Sequence, residues 1–156
     1  IVAVIFVMKR KKIEENYQEN SIDAIYKIQS NKEDTFFNYD KLGLKNEDFK
    51  IEEIEFIPDD KNDLRNLKDI EIKDGSYTST KSGTLKIKII FKIYLNSLDN
   101  IFQDKKELIG VNFANFEMKE VKSMKSSFSG CSNLIEINFE NINSSNVEDM
   151  EKQRQL

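Results

Sequence analysis

Hydrophobic and polar residues alternate along residues 84–94, and this is the most regular pattern in the chain. A period of two residues predicts a half-buried β-strand. One face of this strand would carry Leu85, Ile87, Ile89, Phe91 and Ile93, and the other would carry Lys86, Lys88 and Lys92. Shorter β-like stretches occur near residues 24–28, 36–39, 50–57 and 70–72. We therefore expect a small β-rich region over residues 22–94.

A second pattern, an internal repeat, follows this region. When residues 95–124 are compared with residues 121–150, at an offset of 26 residues, nine pairs are identical. They are Ser97 and Ser123, Phe102 and Phe128, Leu108 and Leu134, Ile109 and Ile135, Asn112 and Asn138, Phe113 and Phe139, Asn115 and Asn141, Val121 and Val147, and Met124 and Met150. A single unit of this size cannot bury its own apolar face, so we expect the two copies to stack on a shared core.

Each repeat unit combines two periodicities. Val121, Met124 and Phe128 follow the spacing i, i+3, i+7, which predicts a short helical turn, and residues 134–139 predict a short strand after it. The repeat core would comprise Leu108, Val111, Phe113, Phe116, Val121, Met124, Phe128, Cys131, Leu134, Ile137, Phe139 and Ile142. Strand alternation would turn Gly110, Asn112, Glu136 and Asn138 outward, so these four residues form the candidate binding face.

These residues resemble a known family. The pattern Val121-x-x-Met124-x-x-x-Phe128-x-Gly130-Cys131-x-x-Leu134-x-x-Ile137-x-Phe139, followed by Val147-x-Asp149-Met150, is similar to the BspA-like leucine-rich repeat of surface proteins. That repeat is also described as the mycoplasma lipoprotein type and is found in protist members. Residues 82–99 resemble the segment that leads into such repeats. The resemblance implies a repeat solenoid that acts in adhesion or protein recognition, and not an enzyme.

The predicted fold class is therefore α+β: a small β-rich region followed by a short leucine-rich-repeat solenoid of 26-residue units, each a short helix or turn plus a strand. The repeats would occupy residues 95–150, with a tail over residues 151–156. The first copy has Asp104-Lys105 where the second has Gly130-Cys131, which is typical of a capping repeat. After Met150 the next Phe position holds Arg154. Two strands are fewer than a solenoid needs, so we expect a truncated array.

The amino terminus predicts contact with a membrane. Residues 1–8 are apolar and are followed directly by Lys9, Arg10, Lys11 and Lys12. The run is too short to span a bilayer alone, but it fits the end of a transmembrane helix with a basic flank, and a buried strand is the alternative. Residues 9–21 would then be a basic and polar tether. The positive-inside rule favours the cytosolic side, whereas the resembling family favours the plasma membrane and cell surface.

Composition removes several functional classes. The 156 residues include no His and one Cys, with 24 basic and 28 acidic residues for a net charge of −4. This composition excludes histidine-dependent catalysis and an internal disulfide, and it argues against nucleic-acid binding. Cys131 lacks a histidine to activate it, so we predict a core residue. An EF-hand beginning at Asp60 fails, because Arg65 stands where glycine is required.

No other motif indicates chemistry. Glu52, Glu53 and Glu55 could supply a pair of carboxylates for acid–base work, but a charged strand face is the simpler interpretation. We therefore expect no catalytic or metal-binding residues and no cofactor. The leading hypothesis is a non-enzymatic, membrane-tethered leucine-rich-repeat protein that recognises an unknown protein or glycan. The alternative is an intracellular scaffold or a non-functional truncated fragment of a larger repeat protein. The sequon Asn143-Ser144-Ser145 would be glycosylated only in a secretory compartment.

Overall fold

The computed structural model describes residues 20–60, 62 and 69–140, and this part of the chain is built from eight β-strands. They are β1 (Ser21–Ile28), β2 (Lys32–Thr35), β3 (Phe49–Pro58), β4 (Ile70–Lys73), β5 (Ser76–Ser79), β6 (Gly83–Phe91), β7 (Leu108–Asn112) and β8 (Glu136–Asn138). They form a five-stranded sheet in the order β3-β6-β1-β7-β8 and a three-stranded sheet in the order β2-β5-β4. The described residues therefore have an all-β architecture.

Strand β1 lies at the centre of the larger sheet because both of its edges are paired. It is antiparallel to β6, with Ala24 opposite Ile87, and antiparallel to β7, with Ala24 opposite Val111. The alternation seen in the sequence puts every second residue of β1 and β6 on one face, where these apolar side chains are buried: Ile22, Ala24, Tyr26, Ile28, Leu85, Ile87, Ile89 and Phe91. Strand β6 ends at Phe91, and Ile93 beyond it is 41% exposed.

The second sheet packs against this apolar face through aromatic rings. Tyr26 of β1, Phe36 after β2 and Tyr77 of β5 lie in a row, with ring centroids 5.5 and 5.2 Å apart. The Tyr26 hydroxyl donates a hydrogen bond to the Phe36 carbonyl at 2.8 Å. Phe37 adds edge-on contacts with Phe49 of β3 and with Phe91 of β6. One continuous hydrophobic core thus joins the two sheets.

The two copies of the sequence repeat lie side by side. Strands β7 and β8 are parallel, and Gly110 pairs with Glu136, Val111 with Ile137 and Asn112 with Asn138, each pair being 26 positions apart. Ser97 and Ser123 form an isolated parallel bridge at the same offset. Equivalent rings stack at this offset too: Phe102 lies 5.9 Å from Phe128, and Phe113 lies 5.2 Å from Phe139.

The predicted fold class is nevertheless wrong. Residues 20–60, 62 and 69–140 contain no α-helix, so the units are not the helix-plus-strand repeats of the expected α+β solenoid. Residues 121–128 were predicted to form a helical turn, but their carbonyl groups accept hydrogen bonds from a neighbouring segment. The N–H of Asn100 donates to the Lys125 carbonyl, and the N–H of Phe102 donates to the Ser127 carbonyl, both at 2.9 Å. Ser126 also has a positive φ of 57°, which a right-handed helix does not allow.

The described residues give no support to the expected transmembrane helix. No helix long and apolar enough to cross a membrane occurs in the described residues. Residues 1–8 lie outside the described residues. So do residues 9–19 of the predicted tether and the tail of residues 151–156. The predicted solenoid is therefore replaced, in the described residues, by a β-rich fold with two sheets.

Candidate functional site

The four residues predicted as a binding face lie together on the outer side of β7 and β8. Gly110 is adjacent to Glu136, and Asn112 is adjacent to Asn138, as the parallel register requires. Their environments differ, because Gly110 is buried beneath Ile25 whereas Glu136 is exposed. The two asparagine side chains are half-buried, and each Oδ1 accepts a hydrogen bond from the N–H two residues later, at 2.9 Å in Asn112 and 2.8 Å in Asn138.

The residues predicted as the repeat core have two environments. Eight of them are buried, with relative exposures of 6% or less: Leu108, Val111, Phe113, Phe116, Val121, Met124, Phe128 and Cys131. Leu134, Ile137 and Phe139 are half-buried and pack against that core from its outer end. Ile142 and the sequon at Asn143 lie outside the described residues.

A surface groove beside this outer end was not predicted. It has a volume of about 600 Å³ and is lined by Lys27, Gln29, Glu107, Ile109, Ser132, Asn133, Leu134 and Ile135. Clefts that bind small molecules have volumes of this order, and this groove is open to solvent along one side. Ile135 stands at its mouth with 85% of its surface exposed, the largest exposure among the exposed large apolar residues of the described chain.

An irregularity in β7 shapes one wall of the groove. Ile25 pairs with Gly110 but the next residue of β1, Tyr26, pairs with Leu108, so Ile109 is an extra residue in β7. A β-bulge of this kind redirects a side chain and bends the strand. Ile109 is half-buried and lines the groove, whereas its neighbour Leu108 is fully buried in the core.

The opposite wall, residues 132–135, is held in place by hydrogen bonds to β7 and to the segment before it. The Asn133 side-chain amide donates to the Lys106 carbonyl at 2.7 Å, and the Ile135 N–H donates to the Ile109 carbonyl at 2.9 Å. The turn that precedes this wall needs Gly130, which has a φ of +77° and would clash with Asp104 if it carried a Cβ. The backbone of this wall is therefore hydrogen-bonded to the opposite side of the groove.

The charged groups of the groove are paired. Lys27 forms an ion pair with Asp59, and the Lys32 ammonium lies 3.0 Å from the Glu107 carboxylate. The hydrogen bond to Glu107, supported by its negative charge, raises the pKa of Lys32 above its usual value. Because each charge has a counter-ion nearby, the groove offers apolar contact and amide hydrogen bonding more than attraction for a charged ligand.

Cys131 lies in the interior, and it is only 1% exposed. Its Sγ donates a hydrogen bond to the Phe102 carbonyl at 2.9 Å. Burial raises the pKa of this thiol from 9.0 to about 11, so it is protonated at neutral pH. Burial also raises the pKa of Tyr26 and of Tyr77 well above their usual value of 10.0. A thiol in this state is a poor nucleophile.

A second ion pair, between Lys105 and Asp34, is largely buried. The Lys105 ammonium donates to the Asp34 carboxylate at 2.8 Å and to the Thr35 hydroxyl at 2.7 Å, and its side chain is 9% exposed. These bonds tie the segment before β7 to β2 of the smaller sheet.

The acidic candidates of the sequence are spread along the surface of β3. Glu53 pairs with Lys88 at 2.8 Å, Glu55 with Lys86 at 3.1 Å, and Glu52 with its neighbour Lys50 at 2.6 Å. In the described ranges, with their gaps at 61 and 63–68, no three Asp, Glu or Cys residues are grouped so that they could hold a metal ion. Asp60 is described, but most of the loop tested as an EF-hand lies outside these ranges.

Sequence reasoning missed the groove because its walls come from three separate segments. One local signal pointed to it: Ile135 interrupts the alternation of residues 134–139 with a second apolar residue. Comparisons of the chain with known protein families, with curated proteins and with solved structures found no significant match. The resemblance to BspA-like repeats stays a prediction.

Proposed function

We propose that this chain is a non-enzymatic recognition protein whose groove binds an extended peptide segment. The observation that carries the proposal is the position of Ile135, an apolar side chain that is 85% exposed at the mouth of this groove. An aliphatic side chain in such a position gains about 1.5–3 kcal/mol when a ligand covers it completely.

The chemistry of the groove favours a peptide over a glycan. Its apolar contacts come from Ile109, Leu134 and Ile135, and none of its lining residues is aromatic. Sugar rings are commonly held against flat aromatic faces, whereas an aliphatic wall suits a Leu, Ile, Val or Met side chain. Gln29 and Asn133 supply amide groups at the same surface, which suits the main chain of an extended segment.

Selection from a library of random linear peptides tests the proposal. The immobilised full chain would be panned with displayed dodecapeptides, and an enriched peptide would then be measured by isothermal titration calorimetry. The expected enriched peptides carry at least one aliphatic residue at a fixed position. A parallel screen with a glycan array provides the comparison.

Two matched variants locate the contact. Ile135→Asn removes the apolar side chain at the groove, and we expect it to weaken peptide binding by about 10- to 100-fold. Ile57→Asn is the control, because Ile57 is also exposed, at 48%, but lies on β3 at the opposite edge of the sheet. Failure to enrich any peptide, glycan binding alone, or equal binding by the two variants would contradict the proposal.

A further inference from the structure

Strand β8 forms one edge of the five-stranded sheet, and its outer side has no paired strand among the described residues. The Phe113 N–H of the segment after β7 donates to the Asn138 carbonyl at 2.9 Å, so Asn138 directs its main-chain groups toward β7. Because main-chain groups of successive residues in a strand point to alternate sides, the N–H and C=O of Ile137 point away from β7. The outer edge of β8 therefore offers one donor and one acceptor on the same residue.

The opposite edge of the sheet is protected in ways that β8 is not. Strand β3 has a bulge between Glu52 and Glu55, a positive φ of 50° at Glu53, and Pro58 at its end. Bulges, charges and proline are devices that prevent edge-to-edge pairing. Strand β8, with the sequence Glu136-Ile137-Asn138, is short and carries one charge, but it has neither a bulge in its pairing nor a proline or lysine.

We infer that the outer edge of β8 pairs with β8 of a second copy of this chain, antiparallel, about a two-fold axis at Ile137. In this register the two Ile137 residues face each other and exchange both of their main-chain hydrogen bonds, which is the hydrogen-bonded pair of an antiparallel ladder. The five-stranded sheets of the two copies then continue into each other. The contact is isologous, as the commonest protein dimers are.

The side chains of β8 are complementary to themselves in this register. Glu136 lies opposite Asn138 of the second copy, so a carboxylate faces an amide twice in the dimer. The Asn138 Oδ1 already accepts the Glu140 N–H at 2.8 Å, which leaves its NH₂ group to donate to that carboxylate. The half-buried Ile137 side chains meet at the axis. The pairing thus places no like charges opposite each other.

This inference does not rest on the peptide-binding proposal, since the hydrogen bonds involve the main chain of Ile137 and not the groove. The same register does place Ile135 of one copy opposite Phe139 of the other. The second copy would then lie beside the mouth of each groove, and a dimer would carry two grooves with a fixed separation.

Two substitutions at one position test the inference by sedimentation velocity on the full chain, from about 10 µM to about 1 mM, where weak contacts dissociate. Asn138→Glu places two like-charge pairs across the axis, and Asn138→Lys places two opposite-charge pairs there. Both variants lose the same amide, so any local loss is matched. We expect the dimer dissociation constant to rise about 2- to 30-fold in N138E and to fall by a similar factor in N138K.

Disulfide formation tests the register. In an oxidised equimolar mixture, a Glu136→Cys chain should crosslink to an Asn138→Cys chain, because directly opposed residues have Cβ atoms about 4.5–5.5 Å apart. Neither chain alone should crosslink efficiently, since its cysteines are diagonal neighbours. A chain that stays monomeric throughout the concentration range would overturn the inference, as would equal dissociation constants in N138E and N138K, or crosslinking that is no better in the mixture.

Discussion

Raising the pH is expected to destabilise the fold through Cys131. Burial raises the pKa of this thiol from 9.0 to about 11, whereas in the unfolded chain the thiol ionises at its ordinary pKa. Between pH 9 and pH 11 the unfolded chain therefore releases a proton that the folded chain retains, which favours unfolding. The stability from the protonated thiol is complete below pH 9 and is lost as the pH rises toward 11.

The magnitude follows from the shift. A difference of 11 − 9 pKa units corresponds to about 2.7 kcal/mol, at about 1.36 kcal/mol per unit. Urea denaturation followed by circular dichroism at a series of pH values from 8 to 11 would measure this loss. The raised pKa values of Tyr26 and Tyr77 add a loss of the same sign, which begins only near pH 10.

The Cys131→Ala variant separates the thiol from the tyrosines. It removes the titrating group and the hydrogen bond to the Phe102 carbonyl, so at pH 8 its stability should be lower than that of the unmodified chain. Its further decline up to pH 11 should be about 2–3 kcal/mol smaller than that of the unmodified chain. Parallel curves for the two proteins would refute the reasoning. In agreement with burial, the native thiol should react slowly with Ellman's reagent at pH 8.

Three further predictions concern packing and the buried ion pair. Phe113→Ala should lower the free energy of unfolding by about 3–5 kcal/mol in urea denaturation, because the ring is fully buried among three other rings. The control Tyr94→Ala, at a side chain that is 66% exposed, should change this free energy by less than about 0.5 kcal/mol. Gly83→Ala should lower the free energy of unfolding by about 1–3 kcal/mol in the same assay, since the added Cβ would lie 2.6 Å from the Ile57 carbonyl oxygen. The control Gly110→Ala should be tolerated, because its Cβ would meet the Ile25 side chain at an ordinary distance of 3.5 Å. Lys105→Met and Asp34→Asn should each lower the free energy of unfolding by about 1–3 kcal/mol. In a thermodynamic cycle the double variant should lose less than the sum of the two, because removing both partners leaves no unpaired charge. Additive losses would contradict a direct ion pair.

The sequence was most informative where burial follows a simple period. The alternation in residues 84–94 predicted a strand, and β6 occupies Gly83–Phe91 with Leu85, Ile87, Ile89 and Phe91 facing the core. The offset of 26 residues was also visible in the sequence, and the same offset separates the paired residues of β7 and β8. Identical apolar side chains at a fixed spacing reflect two segments that bury equivalent groups against one core.

The helical turn predicted for residues 121–128 shows where local periodicity is insufficient. Val121, Met124 and Phe128 are buried, as a helical face would be, but burial of a side chain does not specify where the main chain makes its hydrogen bonds. Here the carbonyls of Lys125 and Ser127 accept bonds from the neighbouring segment at Asn100 and Phe102. These hydrogen bonds to the segment at Asn100 and Phe102 take the place of the bonds that a helix would make within itself.

The sequence alone thus determined the burial pattern of the strands, the spacing of the repeated segments and the core position of Cys131, because each is written in the local order of apolar and polar residues. Only the tertiary structure decided that the chain is all-β in its described part, that the bulge at Ile109 forms a groove with residues 132–135, and that β8 is an edge strand. Those features depend on which segments lie side by side. Hydrogen bonds between distant segments set that arrangement, and no short window of sequence contains both partners.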